Sequence, residues 1–362
     1  MEFGMGIRRL RLSVCHSSFG TRHLALGTQR RAVPCQRGPA GRSLAWMHPE
    51  ILVVGSYVQD LVWRCVDFPQ PGETTVGLFG SGPGGKGSNQ AVAAARTGVR
   101  TGFVGAIGAD SLGRSAQEFH GREGIMARFV TKKAHATGTA AILVNQRGEN
   151  EIIVALGANA VLARTDVPAA WLRSARVVIA QFESNLRTTA FVLRAARRHG
   201  ATTILNPAPM RGDATAALLR YVDVLIPNER EFIALLRLRG VTIRESQWRE
   251  MSSARLQSLC RKLEVPTVIV TLGERGCFVS QPDLSILIPG HTGLKVVDTA
   301  GAGDAFVGAF AAGLRLFDGE MIRAAYFANA AAALAVTKPG TAAAMPPARE
   351  IARFLRQRRI SL

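Results

Sequence analysis

Short, wholly apolar runs alternate along this chain with stretches of helical composition. Residues 51–55 (ILVVG), 101–105, 177–181, 203–206, 222–226 and 267–271 are apolar without alternation, the pattern of strands covered on both faces. Residues 88–98, closed by Gly98, and 110–124, 188–199, 303–316 and 323–337 have helical composition, the last two rich in Ala. This alternation predicts an α/β fold with a doubly wound, mostly parallel sheet flanked by helices. Two β-rich stretches, 73–80 and 139–156, interrupt it. The second is split by NQRGEN (145–150), a hairpin signature, and both are expected to form a small separate sheet over one edge. Ligands of such folds sit beyond the carboxyl ends of the strands. No repeat, low-complexity tract or long linker divides the pattern.

Composition narrows the function classes. With 47% apolar and 20% charged residues, the 362-residue chain is not a disordered one. Its longest apolar run, around 328–336 and broken only by Asn329, is about half the ~18–20 residues of a membrane span. Five Cys (15, 35, 65, 260, 277) show neither CxxC nor Cys/His zinc spacing, which argues for a reducing, cytoplasmic setting without a disulfide framework. His120, His135, His199 and His291 form no metal spacing and read as surface or loop residues.

Charge divides along the chain. The net +19 (45 basic, 26 acidic) includes about seven units from residues 1–46, where eight Arg face one acid, Glu2. That stretch has no helical or strand period, and Met47 stands immediately before the first strand. Residues 1–46 therefore read as a disordered extension or as sequence ahead of the true start. An organellar address or a nucleic-acid tail are the other readings. Residues 47–362 read as one domain. Its last helix carries Arg349, Arg353, Arg356, Arg358 and Arg359, read as a solvated face; with 6% aromatics, no nucleic-acid partner is expected.

Two glycine-rich segments carry the chemistry. In GSGPGGKGSNQ (80–90), Gly80, Gly82 and Gly85 satisfy GxGxxG, but no acid follows about 20 residues on, as a dinucleotide site requires. Gly87 after Lys86 breaks a Walker A loop by one position. Lys86 and Asn89 point instead to a polar ligand beside a helix N-terminus. In DTAGAGD (298–304), a Gly-Ala-Gly turn opens a helix and offers backbone amides to an anion. Asp304 in the first turn would then be either a base that deprotonates an attacking hydroxyl or a plain helix-capping acid.

Together, GGKGSNQAVAAARTG (84–98) and DTAGAGDAFVGAF (298–310) resemble the two signatures of the ribokinase family, the PfkB-type carbohydrate kinases. VVGSYVQD (53–60), PGET (71–74), QFES (181–184), NPAP (206–209), NERE (228–231), TLGERG (271–276) and ANAAAALAVTKPG (328–340) follow in the family's order, so the likeness spans about 50–355.

The resemblance implies ATP-dependent phosphorylation of the primary hydroxyl of a pentose, D-ribose first. Asp304 would be the base, with Gly301, Ala302 and Gly303 as anion hole. Val58, Asp60, Gly85, Lys86, Asn89 and Glu183 would surround the sugar. Asn228, Thr271, Gly273, Gly276, Gly303 and Asn329 would line the ATP site, with Asn228 and Glu231 placing Mg2+ indirectly. Asp298, Ala300, Ala335, Lys338, Gly340 and Ala344 would hold K+. Strands within 58–82 and 137–157 would form a lid that also pairs two subunits. Two positions depart from the pattern: Val58 replaces an Asn that contacts the sugar, which favours 2-deoxyribose or another sugar, and Ala344 replaces a Ser hydroxyl at the cation. A non-catalytic sugar- or nucleotide-binding regulator is the remaining alternative.

Overall fold

The computed structural model describes residues 48–244, 248 and 251–362; the predicted extension, 1–46, lies outside the described residues. In chain order the first strands are β1 (Ile51–Val54), β2 (Val58–Arg64), β3 (Leu78–Gly84), β4 (Thr101–Ile107), β5 (Met126–Thr131), β6 (Gly138–Val144) and β7 (Asn150–Ala155). There follow β8 (Val177–Ala180), β9 (Thr202–Leu205), β10 (Val224–Leu225), β11 (Thr267–Thr271), β12 (Cys277–Ser280) and β13 (Ser285–Ile288). The helices are α1 (Lys86–Ala95), α2 (Ser111–Arg122), α3 (Ala169–Ser174), α4 (Leu186–Arg198), α5 (Glu229–Leu238), α6 (Ser253–Arg261), α7 (Ala302–Leu316), α8 (Met321–Ala335) and α9 (Ala348–Gln357).

Nine strands form the central sheet in the order β13-β12-β11-β10-β9-β8-β1-β4-β5. It is parallel from β5 to β11, and β12 and β13 add an antiparallel edge that the sequence pattern does not predict. Successive residues of β1 enter different cores: Ile51 and Val53 pack with α1, α7 and α8, and Leu52 and Val54 pack with α3 and α4. Helices on both faces explain why the strand is apolar at every position. A second, four-stranded sheet, β3-β2-β6-β7, pairs β2 with β6 in parallel and the rest antiparallel. It is the predicted lid; β2, β6 and β7 fall inside the expected limits, and β3 runs two residues beyond, to Gly84.

The Ala-rich helices are built for close approach. A Cβ on Gly308 of α7 would lie 2.3 Å from the Gln90 carbonyl oxygen of α1, and one on Gly313 would lie 2.9 Å from the Ala324 Cβ of α8. Small side chains let these backbones meet, so the apolar run at 328–336 is a core helix. Among the described residues no helix is long and apolar enough to cross a membrane.

His120 corrects one expectation. It is fully buried on α2, ringed by Tyr57, Phe103, Phe119 and Phe129. One ring nitrogen bonds the Ala116 carbonyl at 2.9 Å, and burial pushes the imidazole down to about 4. It is a neutral core residue because its helix face, not its polarity, sets its place. His135 and His199 are exposed, as expected.

Candidate active site

The two glycine-rich segments meet at the carboxyl ends of the central strands. β3 runs directly into α1 through Gly85, whose φ of 88° and 2.6 Å Cβ-to-Val58 N approach suit only glycine. This is a strand-turn-helix arrangement, but its strand belongs to the lid. The second turn caps α7 at Gly301, φ 77°, without any side-chain cap. No side chain therefore competes for the first-turn amides of α7, although Ala302 N already meets the Thr299 oxygen at 3.4 Å.

Asp304 is buried in that first turn. Asn89 Nδ2 donates to its Oδ2 at 3.0 Å and Gln90 Nε2 to its Oδ1 at 2.9 Å. Each carboxylate oxygen keeps a further lone pair. Asn89 Oδ1 is buried with no partner among the described residues, an acceptor available to a ligand hydroxyl.

Charges converge around it. Lys86 opens α1, partly buried rather than solvated. Burial works to lower its proton affinity, but Asp304, Glu183, Glu231 and Asp60 together hold it above the usual lysine value. Glu183 is buried, not a surface acid; its Oε2 accepts from Ser56 Oγ at 2.6 Å and Lys86 N at 2.9 Å. Burial raises its carboxyl, against Lys86, Ser56 and the Lys86 amide. Asp60 on β2 is pushed up to about 6, first by burial, with Glu183 and Asp304 adding and Thr341 and Lys86 opposing. Val58, two residues earlier, is a buried hydrocarbon.

A cavity of about 180 Å³ opens beside Lys86 and Asp304; Val58, Asp60, Gly85, Asn89 and Glu183 are not among its walls. Its walls include Lys86, Asn228, Glu231, Thr271, Gly301, Gly303 and Asp304, so seven of the expected site residues share one space. Asn228 and Glu231 also form a complete capping box on α5: Asn228 Oδ1 accepts from Glu231 N, and Glu231 Oε2 from Asn228 N, both at 2.9 Å. Capping and lining are therefore the same arrangement. Burial raises the Glu231 carboxyl, against the Asn228 bonds and Lys86. Gly273, Gly276 and Asn329 are not among the walls. A Cβ on Gly276 would lie 2.1 Å from the Ile288 oxygen, and Asn329 Nδ2 donates to the Pro289 oxygen at 2.9 Å, so the latter two shape and pin the neighbouring 288–290 turn.

The expected cation residues gather separately. Asp298 Oδ1 accepts from Ala300 N at 2.9 Å and Oδ2 from Gly340 N at 3.0 Å. Lys338 Nζ is taken by Glu350 at 2.9 Å, and Lys338 N meets the Ala335 oxygen. Ala344 lies on the same loop, its N–H on the Thr341 oxygen at 3.1 Å. Thr341 Oγ1 reaches Asp60 Oδ2 at 3.2 Å and the Pro83 oxygen at 3.3 Å, which ties this loop to the lid.

Sequence reasoning missed Gln90, Gln181, Asn206, Ser56 and Thr341. All but Thr341 stand inside the quoted segments, but nothing in their spacing shows which of them touch Asp304 or each other.

Comparison with known proteins places the chain in one family. The pfkB family carbohydrate kinase domain matches residues 48–348. Ribokinase of Haemophilus influenzae is 35% identical over 316 residues, covering 85% of this chain and 99% of that protein. Deoxyribokinase of Salmonella typhi is 31% identical over 310 residues, covering 84% and 98%. The structure of Arabidopsis thaliana ribokinase complexed with ribose and ATP superposes with a TM-score of 0.73 at 31% identity, covering 85% and 99%.

Proposed function

This chain belongs to the pfkB family of carbohydrate kinases, ATP-dependent enzymes acting on sugars, and we propose that it phosphorylates the primary hydroxyl of a pentose, D-ribose giving D-ribose 5-phosphate. The observation that carries this reading is Asp304, held by two amide donors in the first turn of an uncapped helix. The sugar hydroxyl gives its proton to Asp304 as its oxygen bonds to the terminal phosphorus of ATP. The bond from that phosphorus to the bridging oxygen breaks, and ADP leaves with the electron pair. The Gly301–Gly303 amides face the charge on the transferring group. Asp60, Asn89 and Glu183 hold the other hydroxyls, and the Asn89 acceptor without a partner supports that role.

Among the described residues no three His, Cys, Asp or Glu side chains cluster to hold a metal ion. Mg2+ would therefore arrive on the nucleotide, with Asn228 and Glu231 acting through its waters to neutralise phosphate charge. The oxygen set of Asp298, Ala300, Ala335, Lys338, Gly340 and Ala344 suits a hard monovalent cation such as K+, whose charge would steady the anion-binding turn.

Val58 favours a second substrate. A hydrocarbon pairs poorly with a hydroxyl, so 2-deoxyribose is the alternative, and the relatives include a deoxyribokinase. A coupled ADP-release assay with ribose, 2-deoxyribose, fructose and adenosine, in Mg2+ and K+, tests both. Turnover of ribose or deoxyribose above the others is expected. No turnover with any of them would leave a binding protein and end the kinase reading.

Asp60 gives a pH signature. Above about 6 its carboxylate accepts sugar hydroxyls; as pH falls through that value it protonates and loses acceptor capacity. The sugar KM should rise by roughly tenfold per pH unit below that point, and Asp60→Asn should raise it at all pH values and flatten the profile. A KM that stays constant down to pH 5 would remove Asp60 from the sugar site.

The lid supplies the pairing surface for a homodimer. One face of its sheet leaves Phe79 62% and Ile153 76% exposed, with Ile153 lining a groove of about 540 Å³. Such a contiguous apolar face needs a cover. Phe79→Glu with Ile153→Glu should shift the particle from dimer to monomer in light scattering; an unchanged mass would place the dimer elsewhere.

A further inference from the structure

A chain of buried amides ends on Asp304. Gln181, just beyond β8, donates from Nε2 to Gln90 Oε1 at 2.6 Å. Gln90 Nε2 donates to Asp304 Oδ1 at 2.9 Å and to Asn206 Oδ1 at 3.0 Å. Asn206 Nδ2 donates to the Ile226 carbonyl at 2.8 Å. Gln90 and Gln181 are fully buried, so no water competes for these bonds. Both ends of the chain accept: the Asp304 carboxylate oxygens at one, a backbone carbonyl at the other. Facing Asp304, Gln90 must present its NH2, which leaves Oε1 for Gln181. Facing Ile226, Asn206 must present its NH2, which leaves Oδ1 for Gln90. Every amide is thereby fixed in direction, and reversing one would put oxygen against oxygen.

We propose that Gln90 is a positioning residue, locked in polarity by Gln181, that orients the Asp304 carboxylate and favours its ionised form for proton abstraction. The proposal rests on the kinase reading and adds residues to it. Gly55 shows how tightly the chain is set: a Cβ there would lie 2.0 Å from Gln181 Oε1. Lys86 on α1, Asp60 on β2, Glu183 beyond β8 and Glu231 on α5 also act on this carboxylate through their charges, and none changes with Gln90.

The test compares wild type, Gln90→Leu and Gln181→Glu. Leu keeps the volume and removes the donor. An ionised Glu at 181 can only accept, so it removes the donor that holds Gln90 Oε1 and sets that end of Gln90 against the hold of Asn206, without touching Asp304. Removing or reversing a donor to a carboxylate favours its protonated form. Both variants should lower kcat by roughly 10- to 100-fold, leave both KM values within about threefold, and move the acid limb of the kcat profile to higher pH by about one unit. Gln181→Met, neutral and flexible, should fall between them and wild type. Thermal melting checks that each variant is folded. An unmoved acid limb in folded Gln90→Leu and Gln181→Glu would overturn the proposal while leaving the kinase reading intact. A wild type without turnover would sink that reading instead. The 13C titration of the Asp304 carboxyl, which needs no turnover, would then decide on Gln90 alone: a midpoint identical in wild type and Gln90→Leu overturns it.

Discussion

Asp304→Asn should lower turnover by about 10²- to 10⁴-fold with sugar and ATP affinity largely kept. The substitution keeps the shape of the side chain and removes its ability to take a proton. It also places an NH2 where an oxygen now accepts from Asn89 or Gln90. Gln90 cannot reverse, because Gln181 and Asn206 fix its polarity. Asn89 can: its Oδ1 has no partner among the described residues, so a flipped Asn89 amide accepts from the new NH2. The variant should therefore fold, with a melting temperature close to wild type. ADP release in single and multiple turnover, with sugar binding by calorimetry, checks the split. Retained turnover would exclude Asp304 as the base; lost binding would make it a structural acid.

The architecture was legible where one physical requirement governs a whole run of residues. β1 and β4 lie under helices on both faces, so every position is buried and the apolar run shows it. The turns at Gly85 and Gly301 need φ near +80°, which glycine supplies and the eye finds. The antiparallel edge was not legible. β13 (SILI) is short and half exposed, with no period strong enough to stand out, and β12 is four residues long. β5 mixes Arg and Thr with apolar residues because one of its neighbours is solvent.

The site was legible by segment and not by contact. The two signatures place Lys86 and Asp304 in one cleft, but Gln181 lies 91 residues from Gln90, and Asn206 lies 116. Such bonds depend on how β8, β9 and α1 end side by side, and no spacing along the chain encodes that. His120 was misread for the same reason: a lone polar residue shows its chemistry in a sequence, not the aromatic cage that neutralises it.

Gly308→Ala tests whether the close helix crossing sets the chemistry. In a helix the exchange alone favours folding by up to about 1 kcal/mol. Here the new Cβ would sit 2.3 Å from the Gln90 carbonyl oxygen, 2.6 Å from the Ala93 Cβ and 3.0 Å from the Ala94 nitrogen. These belong largely to the α1 backbone, which cannot rotate away as a side chain can. The helices must part, and overpacking of this kind costs about 1–3 kcal/mol. The displaced residue is Gln90 itself, and Asp304 lies one turn before Gly308. Separation therefore stretches the 2.9 Å bond between them as well as the core. Stability and kcat should fall together, kcat by at least tenfold. Gly121→Ala on α2 is the matched control: its Cβ would meet nothing within 4 Å, so it should stabilise slightly and leave kcat unchanged. Denaturant unfolding and steady-state rates on both variants decide the matter. If Gly308→Ala behaves like Gly121→Ala, the crossing is looser than its geometry demands, and the placement of Asp304 must come from its own turn.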